Sequence, residues 1–497
     1  MRRMFASLWE TIQFIFLTAK LTGVGKRSPA EILAIQERRF RRMLRYAYRH
    51  SPYYRRRLAG IDLERCRPEE LPILTKAEVM DHFDDLVTDR RIKRADVEKF
   101  IGDLANLGTY YLGRYVPCHT SGSQGQPVLI VQERTDLMLT FALQLARGHA
   151  QPKDWKQYIK RIVRPSRWAS FRLQHGFYPS GAAFAYMPAP VRRFARTLRL
   201  SLLDPLADNV AKLNAYQPNF LTAYASVLET LAREQTAGRL RLRESGQLEM
   251  LTNMSEPLSP TAREMIQAAF GAHVSDHYAM GECMALSVGC PKCPGAHLNA
   301  DLALLEVVDE HNRPVPPGVR GKKILVTNLY NRVQPVIRYE IGDVVTLSPH
   351  PCPCGSNLPH ILSVEGRTKD IFWVEVGGQY RELSSMVFLR PLVSCFEMAE
   401  FQVVQTERNR FQLRAAPIPG KSLSAEFLYT LVHDALQLEG LADRVQIEVK
   451  LVSEIKPDPR SGKMRRMITL VGPPAGVADP TGASAMKVDE PAAAGIS

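Results

Sequence analysis

The sequence predicts an α/β protein, a large body of mixed sheets and helices followed by a smaller α+β module. Three observations carry that prediction. From about residue 60 to 365, helical segments alternate with short apolar strands such as Pro127-Val128-Leu129-Ile130-Val131 and Lys323-Ile324-Leu325-Val326-Thr327, the pattern of an α/β layer architecture. After Gly366 a second set begins, with Phe401-Gln402-Val403-Val404-Gln405 and Val445-Gln446-Ile447-Glu448-Val449 alternating as strands around a helical stretch from Ala425 to Leu438. The chain's 497 residues also exceed one ordinary core.

In order along the chain, residues 1–60 read as a helical N-terminal segment. Apolar Phe5, Leu8, Trp9, Ile12, Ile15, Phe16 and Ala19 fall at helical spacing. Arg2, Arg3, Lys20, Lys26 and Arg27 flank them, and Glu10 and Lys20 interrupt the run. No uncharged apolar stretch reaches the length that a membrane-spanning helix needs. A basic amphipathic helix of this kind can lie on a membrane surface, although packing on its own domain is the commoner outcome. Residues 36–58 mix arginines with Tyr46, Tyr48, Tyr53 and Tyr54; a solvated helical face with inward tyrosines is favoured there over nucleic-acid stacking. The body spans 61–368 and the C-terminal module 369–471. From 472 to 497, Ala, Pro, Gly and Asp dominate, which predicts a disordered tail.

Composition narrows the function classes. Hydrophobic residues at 45% and charged residues at 23% exclude global disorder. A net charge of +14 suits anionic ligands, nucleic acid or an anionic membrane without choosing among them. Eight cysteines in so long a chain do not make a disulfide scaffold, and their clustering fits a reducing, cytoplasmic setting.

Five segments could carry chemistry. Thr120-Ser121-Gly122-Ser123-Gln124-Gly125-Gln126-Pro127 is a hydroxyl- and glycine-rich turn whose amides can converge on an anion. It lacks the lysine of a P-loop. In Asp276-His277-Tyr278-Ala279-Met280-Gly281-Glu282, Glu282 is a natural Mg²⁺ ligand beside phosphate oxygens, though alone it is more often a structural charge. Val336-Ile337-Arg338-Tyr339-Glu340-Ile341-Gly342-Asp343 ends in an aspartate that can accept two ribose hydroxyls. Gly366-Arg367-Thr368-Lys369-Asp370 lies at the expected domain boundary, and Arg460-Ser461-Gly462-Lys463-Met464 forms a basic glycine turn near the end of the small module.

In this order, the five segments resemble the core motifs of the adenylate-forming superfamily, and most closely its phenylacetate–CoA ligase branch. Tyr46-Ala47-Tyr48-Arg49-His50-Ser51-Pro52-Tyr53-Tyr54-Arg55, Leu71-Pro72-Ile73-Leu74-Thr75-Lys76, Ser255-Glu256-Pro257-Leu258 and Cys352-Pro353-Cys354-Gly355 point to that branch. The resemblance implies a body that binds ATP and an acid, with a small hinged C-terminal domain. Thr120, Ser121, Gly122, Ser123 and Gly125 would close over the ATP phosphates. Ser255, Glu256 and Pro257 would line adenine, with Tyr278 stacking nearby. Glu282 would hold Mg²⁺, and Asp343 the ribose, helped by Arg367. Lys369 would be the hinge residue, and Lys463 would bridge the acid carboxylate and the α-phosphate. By family position, Tyr224, Ala225 and Ser226 would lie near the acyl group, and a homodimer is the suggested assembly. The chain departs from the pattern at Gln124, Gln126, Ala279 and Gly281, and the last removes a hydroxyl just before Glu282.

Cys290, Cys293, His297, Cys352 and Cys354 supply five soft ligands in two clusters, and structural zinc takes four in a closed tetrahedron. Which of Cys290 and Cys293 takes part stays open. The expectation is an AMP-forming ligase that activates a carboxylic acid, aryl or related, with ATP and Mg²⁺, and transfers it to CoA. Its rivals are an adenylating enzyme with another acceptor, as in capsular polysaccharide or coenzyme modification, and a non-catalytic basic protein.

Overall fold

A computed structural model describes residues 2–120, 127–148, 165–172, 176–201, 204–367, 372–383, 385–393, 395, 397–457, 464–471 and 474. The chain divides into two compact units, one of Met1–Gly366 with Lys456–Met464 and the other of Arg367–Ile455 with Arg465–Ser497. No described helix is long and apolar enough to cross a membrane.

The first unit opens with helix α1 (Arg2–Thr22) and helix α2 (Pro29–His50). The start of α2 is fixed by a capping box, in which Ser28 Oγ accepts from the Glu31 amide and Glu31 reaches back to the Ser28 amide. The buried face of α2 carries Ile32, Phe40, Met43, Leu44 and Ala47. Two antiparallel strands follow, β1 (Tyr115–His119) and β2 (Leu129–Glu133), and then helix α3 (Arg134–Leu143).

Strands β3 (Ser166–Arg172), β4 (Ala195–Ser201), β5 (Phe220–Ala223), β6 (Met250–Met254) and β7 (His273–His277) form a parallel sheet in the order β4-β3-β5-β6-β7. Helices α4 (Ala189–Phe194), α5 (Ala225–Thr236) and α6 (Pro260–Phe270) connect successive strands. Leu221, Ala223, Leu251 and Val274 from the strands join Leu228, Leu231, Ile266 and Phe270 from the helices in one buried cluster. Helix coverage of this kind is what a parallel sheet requires.

Strands β8 (Ser287–Gly289) and β9 (Ala296–Leu298) come next, then the antiparallel β10 (Ala303–Val308), β11 (Lys323–Asn328) and β12 (Tyr339–Ile341). Strands β13 (Asp343–Leu347) and β14 (His360–Arg367) complete a sheet ordered β13-β14-β9-β8. Gly289 is obligatory by contact, since a Cβ there would stand 2.0 Å from Ser275 Oγ and 2.8 Å from the Asp276 amide on β7.

Residues 331–338, between β11 and β12, have no regular structure, yet all but Arg332 are buried. Their side chains and backbone serve distant stretches. Gln334 accepts from the Val131 amide at 2.8 Å and donates to the Leu129 carbonyl at 2.9 Å, while Asn331 donates to the Val131 carbonyl at 3.1 Å. The Tyr54 hydroxyl bridges the Pro335 carbonyl and the Ile337 amide. Arg338, left-handed at φ 53°, pairs with buried Glu306 and donates to the Glu69 and Leu71 carbonyls.

In the second unit, β15 (Phe372–Val376) and β16 (Gln379–Leu383) form a hairpin through Gly377 and Gly378, both at positive φ, as a tight two-residue turn demands. Strands β17 (Met398–Glu407), β18 (Arg410–Pro417), β19 (Gln446–Leu451) and β20 (Met467–Thr469) pair in the order β19-β18-β17-β20. The expected helix forms as α7 (Ala425–Leu438). Phe372, Phe388 and Phe411 centre the core, with ring centroids 5.0 to 5.5 Å apart.

Gln334→Ala should leave the Val131 amide and the Leu129 carbonyl buried without that partner. The expected loss is about 2–5 kcal/mol, read by urea unfolding; a loss within the noise of a surface substitution would contradict this role.

Candidate active site and metal centre

In open parallel sheets, ligands sit outside the carboxyl ends of the strands, and several predicted site residues follow those ends. β6 runs into Ser255, which holds φ 65°, a costly conformation for a non-glycine residue, and then into Glu256 and Pro257. Buried Asn253 organises this turn by donating to the Glu256 carbonyl at 2.9 Å and to Asp276 Oδ1 at 2.7 Å. Asp276 on β7 also meets Arg263 of α6 at 3.3 Å. Burial raises the Asp276 carboxyl pKa, and Arg263 and Asn253 pull it back. Glu256 Oε2 accepts from the Ser226 amide at 2.9 Å, at the start of α5. Its Oε1 accepts from the Met464 amide at 3.2 Å, and the segment carrying Met464 groups with the first unit.

β7 leads into Tyr278, whose hydroxyl donates to Asp343 Oδ2 at 2.7 Å, at the start of β13. Two residues 65 apart in sequence thus stand side by side. Glu282 Oε1 accepts from the Tyr339 hydroxyl at 3.1 Å, and the Glu282 carbonyl accepts from Asn328 Nδ2 at 2.9 Å. Thr120 anchors the base of the glycine-rich turn, since its amide donates to the Val128 carbonyl and its Oγ1 accepts from the Val128 amide at 2.9 Å. Ser121, Gly122, Ser123, Gln124, Gly125 and Gln126 lie outside the described residues, as do Lys369, Lys463 and the side chain of Arg367. His277, half-buried, is held as a neutral imidazole with its pKa pushed down to about 4 by desolvation, and Gln144 Nε2 lies 3.2 Å from its ring nitrogens.

The missing hydroxyl at Gly281 has a steric reason. A Cβ there would lie 2.6 Å from Ile130 Cδ1, 3.0 Å from Pro179 Cγ and 3.6 Å from the Thr120 methyl. Apolar atoms fill the volume that a hydroxyl-bearing side chain would need, so the departure belongs to a repacked wall.

A second centre forms between β8, β9 and the loop before β14. The ligand atoms of Cys290, His297, Cys352 and Cys354 all lie within 4.8 Å of one another and could hold a metal ion. His297 Nε2 is 3.2 Å from Cys354 Sγ, and Cys290 Sγ is 3.8 Å from Cys352 Sγ. Cys293 stands outside this group, and its amide donates to Cys290 Sγ at 3.3 Å. Desolvation, with the charge of His360 adding to it, pushes His297 down to about 4. That keeps the imidazole neutral, the form that binds metal. Burial pushes Cys290 up to about 11 and Cys352 up as well. Sulfurs so crowded and reluctant to ionise are stabilised when a divalent cation takes their charge.

Motif reading passed over the residues that support the candidate site: Asn253, Arg263, Asn328 and Tyr339. Tyr339 sits inside a recognised segment, so its register beside Asp343 was a usable signal. The others are ordinary polar residues on strands and helices, with no local mark.

No family model matches the chain. It is 24% identical over 469 residues to phenylacetate-coenzyme A ligase of Thermus thermophilus, covering 88% of this chain and 97% of that one. It is 22% identical over 344 residues to Protein CapK of Staphylococcus aureus, covering 66% of this chain and 63% of that protein. Among solved structures, a 2-hydroxyisobutyryl-CoA ligase in its postadenylation state, in complex with 2-HIB-AMP, superposes with a TM-score of 0.68 at 21% identity. That match covers 90% of this chain and 91% of the other.

Gly281→Thr should cost about 1–3 kcal/mol by overpacking. In a double-mutant cycle with Ile130→Ala the two changes should couple rather than add. Strict additivity in urea unfolding would show that the contact is not tight.

Proposed function

We propose, for a chain that belongs to the adenylate-forming superfamily in its phenylacetate–CoA ligase-like branch, that it activates a carboxylic acid with ATP as the acyl-AMP and transfers the acyl group to CoA. The observation that carries this reading is the Tyr278–Asp343 hydrogen bond, which joins the start of β13 to the carboxyl edge of the parallel sheet, where Ser255-Glu256-Pro257 and Tyr278 follow the ends of β6 and β7.

The chemistry fits these groups. A carboxylate attacking an α-phosphate brings two anions together, so positioning and charge neutralisation matter more than proton transfer. Asp343 accepts the ribose hydroxyls with Arg367 assisting, and the Ser255-Glu256-Pro257 turn and Tyr278 hold the adenine. The turn of Thr120, Ser121, Gly122, Ser123 and Gly125 encloses the phosphates. Glu282, steadied by Tyr339, is the residue to hold Mg²⁺, which would supply Lewis-acid neutralisation of the phosphate oxygens. Lys463 brings a mobile positive charge to the carboxylate and α-phosphate. Removing it about a hinge at Lys369 would open the mixed anhydride to the CoA thiolate. Cys290, His297, Cys352 and Cys354 make a closed set with the donor chemistry of structural zinc. Small-molecule substrates, a reducing cytoplasmic setting and a homodimer complete the reading. Likeness to Protein CapK supports a second reading, in which the acyl-AMP goes to a non-CoA acceptor.

Lys463→Ala should depress acyl-AMP formation by about 10²-fold or more while sparing thiolysis of supplied acyl-AMP. Equal loss of both half-reactions would remove Lys463 from the adenylation step. Purified protein should carry one zinc per chain by elemental analysis, lost in His297→Ala together with Cys354→Ser. Metal content unchanged by that pair would contradict the assigned ligands.

A further inference from the structure

Helix α1 has two apolar sides, and among the described residues only one packs against the rest of the first unit. Phe14, Leu17 and Leu21 pack on Met138, Leu139, Ala142 and Leu143 of α3 and on Val191 of α4. Glu10, the helix's one acidic residue, is on that inner side too, paired with Arg134 at 3.0 Å. On the opposite side stand Trp9 at 62% exposure, Ile12 at 51%, Ile15 at 57% and Phe16 at 69%. Stepping roughly 100° per residue, these four and Ala19 fill one continuous sector. An apolar sector on a surface helix has no role in folding unless something covers it.

Charge identifies what does. Lys20 borders the sector, and Lys26 and Arg27 follow immediately; all three are exposed. Exposed Arg192 lies on α4, against which α1 packs. The nearest exposed acid in sequence, Glu31, spends its carboxylate on the Ser28 cap. Aromatic and branched side chains bordered by cations and the neutral Gln13 among the described residues have the composition of a helix lying in the lipid interface. Area argues against a second copy of the chain. The four side chains expose on the order of 500 Å², below the roughly 800 Å² per partner of a standard interface.

We propose that the outer face of α1 docks the protein on an anionic lipid bilayer, with Trp9, Ile12, Ile15 and Phe16 entering the headgroup–acyl boundary and Lys20, Lys26 and Arg27 meeting lipid phosphates. The proposal is independent of the catalytic reading, because it is tested by partition alone. Full-length protein is mixed with vesicles of phosphatidylcholine, with or without phosphatidylglycerol, and sedimented at low and high salt. Binding is expected only with the anionic lipid, weakening with salt. Trp9→Ala with Phe16→Ala should reduce partition by about tenfold or more at unchanged thermal stability. Lys20→Glu with Lys26→Glu should abolish the preference for anionic lipid. Absence of binding, or equal binding by the Trp9/Phe16 variant, would overturn the proposal. So would a concentration-dependent dimer in sedimentation velocity that this variant abolishes, because the face would then belong to a second copy.

Discussion

The first unit depends on one buried, irregular segment, residues 331–338. A loop taken into the interior leaves its amides and carbonyls without water, and each must find a partner or lose about 1–3 kcal/mol. Here the solution is reciprocal. The segment lends Gln334 and Asn331 to the backbone of β2, takes the Tyr54 hydroxyl for its own backbone, and sends Arg338 to the carbonyls of Glu69 and Leu71. The Arg338–Glu306 pair beneath it is buried on both sides, so its weight lies in the cost of breaking it more than in net stability.

That hub sets the geometry of the candidate site at one remove. β2 follows the turn anchored at Thr120, and β12 and β13 carry Tyr339 and Asp343 to Glu282 and Tyr278. Asn253 and Asp276 then join the carboxyl ends of β6 and β7, which fixes the strained Ser255 turn. Among the described residues, Asp343 and Glu282 are thus oriented by the hydroxyls of Tyr278 and Tyr339 rather than by loop conformation alone, the support that accurate positioning requires.

Much of this was legible from the sequence. Strand–helix alternation gave the α/β class, and the apolar run ending at Thr327 forms the greater part of β11. Two tight Cys/His clusters read as a candidate metal site, because soft ligands at short spacing have few other uses, and four of the five residues stand together in the structure. What could not be read is equally specific. Spacing did not separate Cys290 from Cys293; in the structure Cys290 belongs to the mutually close set of ligand atoms and Cys293 does not. Gly281 read as a lost hydroxyl because sequence does not show Ile130 and Pro179 pressing on it. The hub was invisible for the same reason: Gln334 and Asn331 are unremarkable until their partners, about 200 residues away, are beside them.

The chemical claim resting on this scaffold is adenylation of an acid. Acid-dependent exchange of labelled pyrophosphate into ATP, over aryl, fatty and hydroxy acids with Mg²⁺ and with or without CoA, tests it most directly. Exchange that appears with one class of acid before CoA is added, and thioester that forms once CoA is present, is the predicted result. Folded protein that exchanges no pyrophosphate with any acid in the panel would contradict it.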